Sequence, residues 1–214
     1  YQAYVSEHYE EPFIGGVRQK VNDPFKKIIF NHHEEEHATA VPLTFEITKS
    51  GNILWSKSSE ELESRTIRYS RNGGETWESI TSTVSGSVIP VESGETLIFL
   101  GDNDYYGDSE SDAYTSGFTG SFKNTDCWFS IKGNMLSLIR SNSYDILKLT
   151  SKNKKAFSQL FKSCTGLTHA HELITTADAT HTSQYHQCFM YCSNLLTMPT
   201  LYHKNVDKAA YCNM

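Results

Sequence analysis

Two look-alike segments near the C-terminal end constrain this chain more than any other feature. Residues 156–173 read AFSQLFKSCTGLTHAHEL and residues 184–201 read QYHQCFMYCSNLLTMPTL. Superposed, Phe157 meets Tyr185, Phe161 meets Phe189 and Cys164 meets Cys192, and apolar positions follow in step. Phe161 and Phe189 lie 28 residues apart, and a further copy begins at Tyr211-Cys212-Asn213-Met214, 26 residues after Tyr185. A unit of this length cannot bury its apolar face alone, so neighbouring copies must stack. Each copy is expected to hold a short amphipathic helix, Ala156 to Phe161 in the first, with Phe157, Leu160 and Phe161 on one side. A turn at Cys164-Thr165-Gly166 then leads into a short strand. The expected repeat core is Phe161, Cys164, Leu167, Ala170, Leu173, Phe189, Cys192, Leu195, Met198 and Leu201. An incomplete third copy also points to a longer parent chain, or to a preceding module that caps the stack.

From Pro42 to about Ser141 the pattern is short β segments separated by turn signals. Thr44 to Thr48 alternates, with Phe45 and Ile47 on one face, and Ile53-Leu54-Trp55 follows the turn at Lys49 to Asn52. Thr66 to Tyr69 pairs with Thr76 to Ile80 across Arg71-Asn72-Gly73-Gly74. Ser87 to Val91 and Thr96 to Leu100 flank Glu92 to Glu95. Gly117 to Phe122, Cys127 to Lys132 and Met135 to Arg140 are further candidate strands. About eight strands at this spacing predict an antiparallel β-sandwich. The expected organisation is therefore an irregular extension over 1–41 with one hairpin around Phe13 to Lys20, a sandwich over 42–141, and repeats over 142–214. The fold class is mainly β.

Composition matters chiefly for what it excludes. A net charge of −6 supplies no basic field for phosphates, so nucleic acid is not an expected partner. No run reaches the roughly 18 apolar residues that would read as a membrane span, and the N-terminal residues carry no signal-peptide pattern. Five cysteines, three or four of them at repeat positions, point to packing rather than to a disulfide framework.

Several stretches invite a chemical reading. His33-Glu34-Glu35-Glu36-His37 fits H-E-x-x-H, which on a helix sets two imidazoles over one zinc with a glutamate beside the bound water. Pro42 follows too closely for a long helix, no third histidine is spaced correctly, and Glu60, Glu61 and Glu63 look like a loop. His33 and His37 are thus weak metal candidates inside a solvated acidic linker, and no cofactor is expected. Ser70-Arg71-Asn72-Gly73-Gly74-Glu75-Thr76-Trp77 is similar to the Asp-box turn of sialidase-type propellers, with Asn72 for aspartate, a structural motif without catalytic duty. Gly101 to Asp112 approaches a calcium loop, but Tyr106 stands where a ligand belongs, so a long flexible loop is expected. Cys188 near His186 could be drawn as a nucleophile and base, yet repeat positions are core by default.

The repeat pattern F-x-x-C-[TS]-x-L resembles the BspA-like leucine-rich repeats of bacterial surface proteins. Phe161, Cys164, Thr165, Leu167, Thr168, Ala170 and Leu173 carry the likeness in one copy. Tyr185, Phe189, Cys192, Ser193, Leu195, Pro199 and Leu201 carry it in the next. Phrases such as Tyr69-Ser70-Arg71-Asn72-Gly73-Gly74 and Lys132-Gly133-Asn134-Met135-Leu136 are similar to the β-domain that precedes such repeats. Lys162-Ser163 and Met190-Tyr191 depart from the family by replacing the glycine before cysteine. The resemblance implies a leucine-rich-repeat solenoid behind the sandwich, and a secreted or cell-surface protein that binds host or matrix protein or glycan, without catalysis. His169, His171 and Thr197 are the expected exposed positions on the repeat surface. The alternatives are a phage tail-fibre or virion-surface module and a zinc-dependent hydrolase built on His33 and His37.

Overall fold

The strands follow from alternation. In the computed structural model, β3 (Leu43–Lys49), β8 (Thr96–Gly101) and β5 (Thr66–Ser70) turn Leu43, Phe45, Ile47, Leu97, Phe99, Ile67 and Tyr69 to one side. The structure describes residues 41–107, 116–118, 127–142, 144, 149, 153–175 and 184–199, together with the backbone of 13–14 and 17–18. The chain divides into two units, 1–39 and 40–214. In the first, β1 (Phe13–Ile14) pairs antiparallel with β2 (Val17–Arg18), the hairpin anticipated there. His33 and His37 lie outside the described residues.

The second unit is built on a six-stranded sheet. With β6 (Glu78–Thr81), β9 (Trp128–Asn134) and β10 (Leu167–Ile174), its order is β10-β9-β3-β8-β5-β6. Five strands run antiparallel, and β10 joins β9 in parallel. A two-stranded ribbon of β4 (Gly51–Trp55) and β7 (Ser87–Val91) supplies the second layer. Between the layers sits Phe118, 2% exposed, with ring centroids 4.8 Å from Phe45, 4.8 Å from Trp55, 5.0 Å from Phe99 and 5.7 Å from Phe161. Described residues of the two expected modules, 42–141 and 142–214, thus share one continuous core.

The two look-alike segments stack in register. Phe161 lies parallel to Phe189 at 5.4 Å, and Phe157 on Tyr185 at 5.4 Å. The backbone explains how. Within the first copy the N–H groups of Ala156, Ser158, Leu160, Lys162 and Cys164 bond to the carbonyl three residues back. The intervening N–H groups of Phe157, Gln159, Phe161 and Ser163 donate instead to Gln184, His186, Cys188 and Met190 of the second copy, at 2.7–2.9 Å. The expected helix at Ala156 to Phe161 is therefore absent: this is a ribbon of successive turns. A helix would use every one of these N–H groups internally; here four of the nine are released to hold the next copy. Left-handed φ values at Lys155, Gln159 and Ser163, and again at Gln187 and Tyr191, shape the ribbon. Such conformations are unfavourable for residues with a Cβ and persist where the surroundings over-determine them.

The sandwich offers the first copy the same interface. Tyr106 N–H donates to the Ala156 carbonyl at 3.0 Å, and Phe118 N–H to the Leu160 carbonyl at 2.7 Å. These match the bonds from Phe157 to Gln184 and from Phe161 to Cys188 one copy later. Phe118, Phe161 and Phe189 form one column of near-parallel rings.

Three further expectations need correction. Met135–Leu138, expected as a strand, is a 3-10 turn capped by the Asn134 side chain, which accepts from Leu136 N–H at 2.9 Å. The described part of the Gly101 to Asp112 loop is built into the core. Tyr106 is fully buried and donates its hydroxyl to the Leu138 carbonyl at 2.6 Å, while Asp102 accepts from the Ser141 backbone and hydroxyl. Met198, expected in the repeat core, is 45% exposed, because it lies on the outermost described segment and no described residue covers it.

Candidate functional site

Inward alternation on one side of the sheet dictates a polar row on the other. Trp128, Ser130 and Lys132 of β9 face outward, and register places Lys49, Glu46 and Thr44 of β3 opposite them. On the far side β10 sets His169 opposite Ser130 and Glu172 opposite Lys132, with a register shift between the two. The second copy extends the row by one bridge, His169 to Thr197, with the Ala170 N–H donating to the Thr197 carbonyl at 2.9 Å.

The side chains on this face are held by one another. Lys132 pairs with Glu46, and the Ser130 hydroxyl donates to the same carboxylate at 3.3 Å. That bond to Glu46 is the main cause raising the Lys132 pKa, so its ammonium stays charged. The Lys49 ammonium stands 5.5 Å from the centre of the Trp128 ring. His169 and His171 meet edge to face at 6.2 Å, His171 Nδ1 lies 3.3 Å from the Thr197 hydroxyl, and its Nε2 lies 3.4 Å from Glu172. The three expected repeat-surface residues are therefore neighbours, with His169 and Thr197 half-buried and His171 exposed.

The other candidates have structural partners. Glu60 pairs with Lys57 at 3.6 Å and Glu63 with Arg65 at 3.2 Å. Among the described residues no group of three His, Cys, Asp or Glu side chains is placed to hold a metal ion. In the Asn72 turn, the Ser70 hydroxyl accepts from Gly74 N–H at 2.9 Å, and Asn72 Oδ1 accepts from Thr76 N–H at 3.0 Å. The Trp77 indole closes the turn on the Gly74 carbonyl at 3.0 Å, and Gly73 and Gly74 supply the positive φ the turn requires. Ser70, Asn72, Thr76 and Trp77 hold the β5–β6 turn, while Arg71 reaches across to the Glu95 carboxylate and the Pro90 carbonyl.

Cys127, Cys164 and Cys188 are buried, and with Cys192 they are unbridged thiols. Burial pushes Cys127 and Cys192 up to about 11 and raises Cys188 as well, which disfavours the thiolate a nucleophile requires. Alkylation by iodoacetamide at pH 8 is therefore expected to leave Cys127, Cys164 and Cys188 unmodified in the folded chain and to reach them on unfolding. Rapid labelling of Cys188 under native conditions, read by peptide mass, would restore it as a reactive group.

The sequence reading missed Trp128 and its neighbours. The signal was present: alternation in Trp128–Asn134 puts an indole on the same side as Ser130 and Lys132. Comparison with family models, with curated proteins and with solved structures returns no match for this chain.

Proposed function

We propose that the chain is a non-catalytic binding protein of the adhesin type, displayed on a bacterial surface or secreted, and that its outer sheet face meets a host or matrix protein or glycan. In this reading residues 142–214 belong to a BspA-like leucine-rich-repeat solenoid, and the sandwich caps its N-terminal end. The observation that supports it is the in-register stacking of the second copy on the first, whose strand β10 pairs with β9. Stacking converts successive strands into one rigid surface, whose affinity comes from many modest contacts rather than one pocket. The ion pairs of Glu60 and Glu63 and the burial of Cys127, Cys164 and Cys188 fit the same reading. No described helix is long and apolar enough to cross a membrane.

Surface-plasmon resonance of the full chain over immobilised matrix proteins and neutral oligosaccharides is expected to give saturable binding to at least one of them. Replacing His169 and His171 together by alanine should weaken that binding by about threefold to tenfold, equivalent to about 0.6–1.4 kcal/mol. Saturable binding nowhere on the panel would sink the proposal, and zinc at one equivalent with peptide hydrolysis would favour a metallohydrolase in its place.

A further inference from the structure

The chain has three tryptophans, and two of them are consumed by the fold. Trp55 is buried and gives its indole N–H to the Arg65 carbonyl at 2.9 Å, while Trp77 closes the Asn72 turn. Trp128 is different: it stands on the outer face of β9, 47% exposed. A single exposed apolar residue is ordinary. Its surroundings make this one informative. The Lys49 ammonium lies over one face of the ring, Ser130 lies two residues along the same strand, and Glu46 bridges Ser130 and Lys132. Strand pairing thus sets donors and acceptors of several kinds along the two strands that carry Lys49 and the indole, so little ordering is required on binding.

Along β3, β9 and β10 the charges of this face balance, with Lys49 and Lys132 against Glu46 and Glu172, which selects neither a polyanion nor a polycation there. Protein partners dock on clusters of aromatic and aliphatic anchors in a desolvated centre; here one indole stands among polar groups. A neutral sugar has the complementary chemistry. One side of a pyranose presents slightly positive C–H groups to an aromatic face, and its rim presents hydroxyls that both donate and accept. We infer that the outer face around Trp128 is a carbohydrate subsite, which takes a neutral pyranose with its C–H face on the indole and its hydroxyls on Glu46, Lys49 and Ser130. This rests on the binding-protein reading above and narrows the ligand to a glycan.

An array of neutral and anionic oligosaccharides probed with the full chain identifies ligands, and calorimetry with the strongest neutral one supplies the affinity. Trp128→Phe should retain binding within about threefold, whereas Trp128→Ala and Glu46→Gln should each weaken it by about tenfold or more. Both positions are surface-exposed or half-exposed, and an unchanged melting temperature confirms that the variants are folded. Quenching of tryptophan emission by the sugar should disappear in Trp128→Phe while binding persists. Oligosaccharide binding that Trp128→Ala leaves unchanged overturns the subsite. So does capture of a matrix protein without any sugar, which leaves the binding-protein reading standing. Failure of every sugar and every matrix protein overturns both.

Discussion

Phe118→Ala is expected to lower the stability of the 40–214 unit by about 3–5 kcal/mol, a large share of the 5–15 kcal/mol typical of folded domains. The reason is its position. The ring touches Phe45 and Phe99 of the six-stranded sheet, Trp55 of the ribbon, and Phe161 of the first repeat copy. Truncation leaves a cavity walled by three separate layers of structure, which cannot collapse together to fill it. For a chain of this size the loss corresponds to a fall in melting temperature of about 6–20 °C. Urea denaturation followed by tryptophan emission measures it directly, since Trp55 is one of the walls. A loss below about 1 kcal/mol would mean that sandwich and repeats do not share a core. Phe118→Leu, which keeps most of the volume, should recover more than half of the effect.

The second large effect is expected at Gly166. Its carbonyl accepts the Phe129 N–H at 3.0 Å, the bond that opens the parallel pairing of β9 with β10. A Cβ here would overlap the carbonyl oxygen of Cys127 outright and lie 3.5 Å from the Phe129 ring. Backbone cannot move aside as a flexible side chain can. Gly166→Val should therefore separate the strands at their start, at a cost of about 2–3 kcal/mol. Hydrogen exchange distinguishes this from general destabilisation: amides of Leu167 to Ile174 should exchange faster by tenfold or more, while those of β3 and β8 change far less. Uniform acceleration across the sheet would count against the argument. The residue one copy later, Asn194, carries a full side chain and donates it to the Thr165 carbonyl at 2.8 Å. The restriction thus belongs to the junction with the sandwich and not to the repeat itself.

The sandwich strands were legible because most show period-2 alternation or a short apolar run between turn signals. Phe45 and Ile47, and Ile67 and Tyr69, alternate with polar residues, Leu97 and Phe99 form an apolar run with Ile98 and Leu100 bounded by turns, and Asn72-Gly73-Gly74 marks the β5–β6 turn unambiguously. Legibility failed where burial is complete. In residues 156–161 every side chain is buried, polar Ser158 and Gln159 included, so the spacing of Phe157, Leu160 and Phe161 mimicked a helical stripe that does not exist. Met135, Leu136, Leu138 and Ile139 are likewise all buried, and such an apolar run does not distinguish a strand from a tight turn. Tyr106 was hidden by its acidic neighbours: it belongs to the core through a hydroxyl bond to Leu138, 32 residues away. Of the outer face, His169, His171 and Thr197 could be proposed from repeat phase alone. Glu46 and Lys49 could not, because their places opposite Ser130 and Trp128 depend on which strands adjoin.

The bonds that Tyr106 and Phe118 make to the first copy are the bonds that Phe157 and Phe161 make to the second. A segment that receives the pattern on one side and presents it again on the other is modular in the mechanical sense. Duplicating 28 residues within this region would lengthen the molecule without asking any existing side chain to change. Evolution could therefore adjust how far the surface reaches while leaving the root of the structure untouched.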